Sequence, residues 1–413
     1  MRLEFTRRMR TAPYFFDVVP RSRRPDYSRQ RGEIRTSVVI VGGGLTGCAS
    51  AASFATAGVD VVLLEADRVG AGATGASAGL IRQDLDASFQ ETAALHGTRT
   101  ARHVWQGFRR AALDFGAALR RLGVRADFAP QDVLFLTRDG ADAARRLQRE
   151  YQARRDGGVE GSWLSGRAVA AETQIVAGGG IRTKGDAFDP YRACIGLAAA
   201  AVSRGARIHE RTRALRIRAG KKSVQITTDT GSITADAVVI ATGALPDDLR
   251  ALRRHFAPRL SYAAVTAPMP APVRKETGRR SAAIRDTATP PHVVRWLKDG
   301  RVLVTGGDGP LVAARAREKV LVANVNELMY ELTTLYPAIS GLQPEWGWDF
   351  VHHGSPDNLP VVGAHRNFPR HLFALGHGRH GAAVAWLAAR VLTRAFLGEP
   401  AKGDELYGFA RVL

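Results

Sequence analysis

The chain has 413 residues, 45% of them hydrophobic and 24% charged, a globular composition that sets aside disorder, collagen and coiled coil as whole-chain readings. At about 100–200 residues per domain it holds two or three compact units and a large core. The formal charge of +20 raises nucleic acid or an anionic surface as partners, but 52 of the 59 basic residues are Arg scattered along an Ala- and Gly-rich chain; no basic run is interleaved with aromatics, so nucleic-acid binding is not the expected function.

The first 35 residues carry ten Arg and four acids without an apolar signal core. The expectation is a basic lead-in over 1–35 rather than a secretory signal, with a mitochondrial transit peptide as the alternative. Residues 36–59 are free of charge but hold five Gly, so they read as strand, turn and helix rather than as a membrane span. The strand is 37–41, the turn Gly42-Gly43-Gly44-Leu45-Thr46-Gly47, and the helix 48–57. A second apolar strand at 59–64 ends on Glu65, completing a βαβ unit.

Residues 87–123 have apolar positions at helical spacing and predict one or two amphipathic helices. A strand at 133–136, a helix at 141–151 and glycine loops at 157–158 and 178–180 follow. Asp189 and Pro190 open a helix as N-cap and first residue, and Gly205 stops it. Short strands are expected at 207–209, 214–217, 224–228 and 232–234, with a buried one at 237–241 closed by Thr242 and Gly243. Beyond them come strands at 262–266, 292–297 and 302–304, an amphipathic helix at 312–335, a strand at 372–375, a second glycine-rich turn at 376–381 and a helix at 382–396.

The spacing Gly42, Gly44, Gly47 is G-x-G-x-x-G between a strand and a helix, with an acid closing the next strand. The glycines allow backbone amides to approach a pyrophosphate at the positive end of the helix, and Glu65 is placed to accept from the ribose hydroxyls. NAD and FAD enzymes share this motif, so an NAD-dependent dehydrogenase stays open on these residues alone. So does a non-catalytic basic binding protein that keeps the fold.

The order of further motifs narrows the choice. Gly72-Ala73-Thr74-Gly75-Ala76-Ser77-Ala78-Gly79-Leu80, Asp189-Pro190, Ala241-Thr242-Gly243, Asp357-Asn358-Leu359-Pro360-Val361-Val362-Gly363 and Gly376-His377-Gly378-Arg379-His380-Gly381 together resemble the glycine oxidase and D-amino-acid oxidase (DAO) family of FAD-dependent oxidoreductases. The resemblance covers about 13–400, Pro13-Tyr14-Phe15-Phe16 included. It implies an α/β fold: a Rossmann-type FAD-binding domain with a second α+β substrate domain whose antiparallel sheet roofs the flavin. The segments implied are 36–100, 185–260 and 340–413 for FAD and 101–184 and 261–339 for substrate.

The same resemblance implies that Gly42, Gly43, Gly44, Leu45, Thr46 and Gly47 hold the pyrophosphate and Glu65 the ribose. Thr74, Ser77, Gly79 and Leu80 would line the flavin and its phosphate, Ala214 would meet the adenine through its backbone, and Thr242 and Gly243 would lie under the nucleotide. Gly376, His377, Gly378, Arg379, His380 and Gly381 would face the flavin ring, with the helix they open pointing its positive end at the N1/C2 carbonyl edge. The implied reaction is oxidation of the C–N bond of a small amine or amino acid by hydride transfer to flavin N5. The imine is then hydrolysed, and O2 or another acceptor reoxidises the flavin.

The departures from the family pattern fall on the substrate side: Ile81-Arg82 follow the serine motif, Arg379 replaces a glycine, and residues 346–353 stand where many members carry Arg-Pro. Arg295 is the candidate clamp for a substrate carboxylate, with a plain strand arginine as the alternative. His380 is the candidate to touch flavin or substrate. Trp346 and Trp348 are wall or core residues. No metal-ligand spacing is present, and two cysteines, Cys48 and Cys194, fit a reducing cytoplasm without a disulfide framework. No transmembrane segment is expected, and an oligomer stays open.

Overall fold

The computed structural model describes residues 9–379 and 381–412. The chain divides into two compact units, each assembled from three separate segments: residues 1–18, 130–185 and 259–351 in the first, and 19–129, 186–258 and 352–413 in the second.

The second unit is a Rossmann-type layer structure. Five parallel strands run in the order Arg207–His209, Val61–Leu64, Gly32–Val41, Gly231–Ile240 and Phe368–Leu375. Val38, Val39, Ile40, Val62, Leu63, Val238, Val239 and Ile240 are fully enclosed, as expected for β-branched runs covered on both faces. The first strand starts at Gly32, five residues before the apolar run, because Glu33–Arg35 continue the register opposite Ser232–Thr234. The two short strands expected at 232–234 and 237–241 are one strand for the same reason. Its first half also pairs antiparallel with Val224–Thr228, which pairs with Ala214–Ala219.

Helix Leu45–Thr56 packs against Pro190–Val202 and Gly381–Leu397. Buried small residues such as Ala49, Ala52, Ala193, Ala198, Ala385 and Ala389 let the three axes approach. The helical stretch at 87–123 resolves into Phe89–His96 and Thr98–Arg121. Ser88 with Glu91 forms a capping box that starts the first of them, and Gly97, at φ +80°, makes the break before the second.

The first unit is built on a mixed eight-stranded sheet in the order Pro344–Gly354, Ala257–Thr266, Val302–Gly309, Val293–Trp296, Ala282–Asp286, Asp132–Thr137, Gly179–Thr183 and Ser162–Ser165. The pairing of Ala282–Asp286 with Asp132–Thr137 is parallel, and its flanking pairings are antiparallel. Helix Arg317–Leu335 lays Leu321, Val325, Leu328, Met329, Leu332 and Leu335 into a core with Leu134, Ile284, Val302 and Val304, the spacing of one helical face.

The glycine run at 178–180, read from sequence as a loop, in fact enters a strand. A Cβ on Gly180 would lie 2.8 Å from Leu134 Cδ1, so glycine there serves close strand approach rather than a turn. Trp346 is a core residue, not a wall: it is buried edge-on to Tyr14 at 5.1 Å. The Arg10 and Arg301 guanidiniums lie 5.0 and 4.8 Å from its ring, and its indole N–H donates to Asp17 Oδ2 at 3.0 Å. Trp348 is likewise enclosed.

Candidate dinucleotide site

The site grows from the end of strand Gly32–Val41. Gly42, at φ +111°, donates to the Leu64 carbonyl at 2.8 Å. A Cβ there would lie 2.5 Å from Ala241 O, and one on Gly47 would lie 1.8 Å from Gly42 O. Both glycines are therefore demanded by backbone approach. Helix Leu45–Thr56 begins at once, so its first-turn amides open onto the turn without intrahelical acceptors. The Leu45 amide donates to Thr74 Oγ1 at 2.9 Å, tying the serine-motif segment to the glycine turn.

Glu65 closes the next strand and receives the Gly43 amide at 2.7 Å on Oε2 and the Asp67 amide at 2.8 Å on Oε1. Burial pushes its carboxyl above the usual range, opposed by those two donors. A carboxylate offers about four lone-pair directions, so two stay available for hydroxyl donors. Thr212 N donates to Glu65 O at 2.9 Å, which sets the start of strand Ala214–Ala219 beside the acid. Gly79, at φ +63°, donates to Ser77 Oγ at 3.4 Å and leads into strand Leu80–Arg82. Gly243, at φ +72°, ends the chain's run past Gly231–Ile240, and Thr242 Oγ1 donates to Ala244 O.

The second glycine turn comes to the same place from more than 300 residues away. Gly376 and Gly378 have φ of +66° and +54°, and the Gly378 amide donates to His353 O at 2.9 Å. His377 Nδ1 lies 3.4 Å from Thr46 Oγ1, in the first turn of the first helix. Among the described residues its Nε2 has no hydrogen-bond partner and is shielded from water; burial drives the imidazole down to about 4, so it is neutral at pH 7. Arg379 is half-buried and Gly381 opens helix Gly381–Leu397; His380 lies outside the described residues.

Arg295 belongs to the other unit, on strand Val293–Trp296, where its buried guanidinium lies 5.3 Å from the Phe15 ring centroid. Three features of the nucleotide unit were not read from sequence. Glu210 is fully buried and accepts from the Val69 amide at 2.8 Å and the Tyr27 amide at 3.2 Å. Arg82 pairs with Asp86 at 2.8 Å, with Asp84 at 3.6 Å. Cys48 and Cys194 are neighbours. The Glu210 and Cys48–Cys194 contacts join segments 141 and 146 residues apart, whose meeting is a property of the fold, whereas Arg82 pairs within its own short segment. Asp357, from the family-like motif, receives Arg411, Ser355 Oγ at 2.8 Å and the Leu359 amide at 3.2 Å. Burial opposes its charge, but Arg411 and these donors hold the carboxyl below the usual range.

Among the described residues no group of three or more His, Cys, Asp or Glu is arranged to hold a metal ion, and no helix is long and apolar enough to cross a membrane.

A parallel sheet, a glycine turn into a helix N-terminus and an acid at the end of the neighbouring strand define a dinucleotide-binding protein of the Rossmann class. Residues 37–395 match the family described as DAO, FAD dependent oxidoreductase, and the chain belongs to that family. It is 24% identical to the gamma-glutamylputrescine oxidoreductase of Escherichia coli, over 90% of this chain and 86% of the relative. It is 24% identical to the glycine oxidase of Bacillus subtilis, over 90% and 95%. The solved glycine oxidase of Geobacillus kaustophilus has the same fold, with a TM-score of 0.76 at 21% identity, covering 91% of this chain and 98% of that one. The residues present fit FAD: the turn leaves amides for the diphosphate, Glu65 keeps acceptor capacity, and His377 Nε2 is a buried polar atom without a partner among the described residues.

Proposed function

We propose that this FAD-dependent oxidoreductase oxidises the C–N bond of a small amine or amino acid. The observation that carries the reading is the meeting of the two glycine turns at Thr46 and His377, which gives one cofactor both a diphosphate cradle and a neutral, buried imidazole. Relatives named for γ-glutamylputrescine and for glycine support the substrate class. The electron acceptor is O2 or another oxidant, and the cytoplasm is the proposed compartment.

The turn of residues 42–47 holds the diphosphate through those of its backbone amides not already taken by Leu64, Glu65 and Thr74, and Glu65 takes the ribose hydroxyls. Thr74, Ser77, Gly79 and Leu80 line the middle of the cofactor. Ala214 meets the adenine through its backbone, and Thr242 and Gly243 support the nucleotide from below. Residues 376–379 and 381 face the ring. The unit of residues 19–129, 186–258 and 352–413 is the FAD-binding domain and that of 1–18, 130–185 and 259–351 the substrate domain, so residues 101–129 move to the FAD side and 340–351 to the substrate side of the boundaries expected from sequence. FAD, when bound, supplies a two-electron acceptor; the protein supplies alignment and exclusion of water. Arg295 binds the carboxylate of an acidic substrate.

The test is an absorption spectrum of the purified protein before and after anaerobic mixing with amines, amino acids and hydroxy acids. The expected result is flavin bands that an amine or amino acid bleaches. Bleaching by hydroxy acids alone would overturn the C–N assignment, and a colourless protein that takes up no added FAD would overturn the cofactor site.

A further inference from the structure

Cys48 and Cys194 are the chain's two cysteines, and both are buried free thiols. The fold places their Sγ atoms 3.6 Å apart across 146 residues of sequence, each 3.5 Å from the Gly43 carbonyl oxygen. That oxygen also receives the Gly70 amide at 3.0 Å and belongs to the turn that cradles the diphosphate. One thiol projects from the first turn of helix Leu45–Thr56 and the other from helix Pro190–Val202; both lie in the same unit. Packing on the sheet explains a small residue at position 48, but it does not require a second thiol on the same acceptor. With an S–S bond of about 2.05 Å, closure needs an approach of roughly 1.5 Å, short beside the reach of two Cβ–Sγ arms.

We propose that Cys48 and Cys194 are a dithiol that hydrogen peroxide closes to a disulfide, and that closure loosens the hold of the phosphate turn on FAD. One sulfur attacks the peroxide, forming S–O as O–O breaks and releasing one water. The second sulfur then attacks the first, forming S–S as S–O breaks and releasing a second water. Both thiols are oxidised by two electrons in all, and the peroxide is reduced by two. The new bond removes both S–H donors from Gly43 O and pulls the two helices together beneath the turn. Burial keeps Cys194 as the neutral thiol, so the pair reacts slowly and the exposure must be long. The FAD half of the proposal rests on the cofactor reading above; the disulfide half does not.

The experiment holds the purified protein in excess hydrogen peroxide, then denatures, alkylates and digests it for mass spectrometry. The expected result is a peptide pair joined through Cys48 and Cys194 that dithiothreitol separates and that Cys48→Ser and Cys194→Ser each abolish. Alkylation of both thiols, or oxygen added to them without a cross-link, would overturn the dithiol. FAD titration of the oxidised and reduced wild-type protein should give an affinity at least about fivefold weaker when oxidised, and dithiothreitol should restore it. An equal affinity would overturn the coupling to FAD. Failure of the reduced protein to take up FAD would instead sink the cofactor reading and leave the cross-link result standing.

Discussion

Glu65 has two backbone amides on its carboxylate, and a glutamine would offer only one oxygen to them while losing the charge that strengthens a bond to a ribose hydroxyl. Charge-assisted hydrogen bonds contribute about 1.5–3 kcal/mol, so Glu65→Gln should weaken FAD binding about ten- to hundredfold, measured by quenching of flavin fluorescence. An unchanged affinity would remove Glu65 from the cofactor site. Arg295→Lys keeps the charge but loses the planar fork. It should raise KM about tenfold or more for substrates bearing a carboxylate and leave amines without one unaffected; equal effects on both would reduce Arg295 to a packing residue against Phe15. At this scale Gly42, Gly47 and Glu65 were legible because a diphosphate and a ribose impose a short, fixed spacing. Thr74 on the Leu45 amide, Glu210 and the Cys48–Cys194 pair were not, since their partners lie 29, 141 and 146 residues away.

Helix Pro190–Val202 illustrates a start that sequence chemistry dictates: Asp189 accepts from the Arg192 amide at 2.9 Å with Pro190 in the first helical position. The cap is buried, and burial lifts its carboxyl to about 6 against two backbone donors and Arg192. A carboxyl whose folded pKa is raised stabilises the fold below its unfolded pKa, and that contribution is lost as pH rises toward about 6. Asparagine caps as well as aspartate and carries no charge. Asp189→Asn should therefore melt at or above the wild-type temperature at pH 8 and lose that advantage at pH 4; a lower melting temperature at pH 8 would show that the charge itself is needed. The edges of elements were less legible than their existence. Strand Gly32–Val41 extends through Glu33 and Arg35 because a neighbouring strand accepts them in register, and pairing of that kind has no local signature.

At the scale of the whole molecule, each unit draws on three chain segments, so no contiguous half carries a complete core. A chain ending at residue 351 lacks strand Phe368–Leu375, the partner of Gly231–Ile240, and helix Gly381–Leu397, which covers Leu45–Thr56. It keeps every segment of the first unit but should lose the second unit's melting transition by calorimetry and FAD uptake by absorbance. Retention of both would mean that the last segment is dispensable. Acid should also unfold the protein. Burial lowers His377 to about 4 and also lowers His255, His365 and His371. A histidine with a depressed folded pKa contributes stability that is present above its unfolded value of about 6.5 and lost as pH falls toward the folded one. His377 alone accounts for about 3 kcal/mol by pH 4. The urea midpoint of the protein without added FAD should drop between pH 7.5 and pH 4.5; an unchanged midpoint would mean that these imidazoles are hydrated.

By itself the sequence determined the α/β class, the first glycine turn, its acid and the cofactor family, because short-range spacing, β-branched runs and capping residues act within a few turns of chain. Only the tertiary structure decided that His377 meets Thr46, that two thiols share the Gly43 carbonyl, and that Trp346 is core. These depend on which distant strands and helices pack together, a matter of shape and burial summed over the whole chain, and no local pattern encodes that sum.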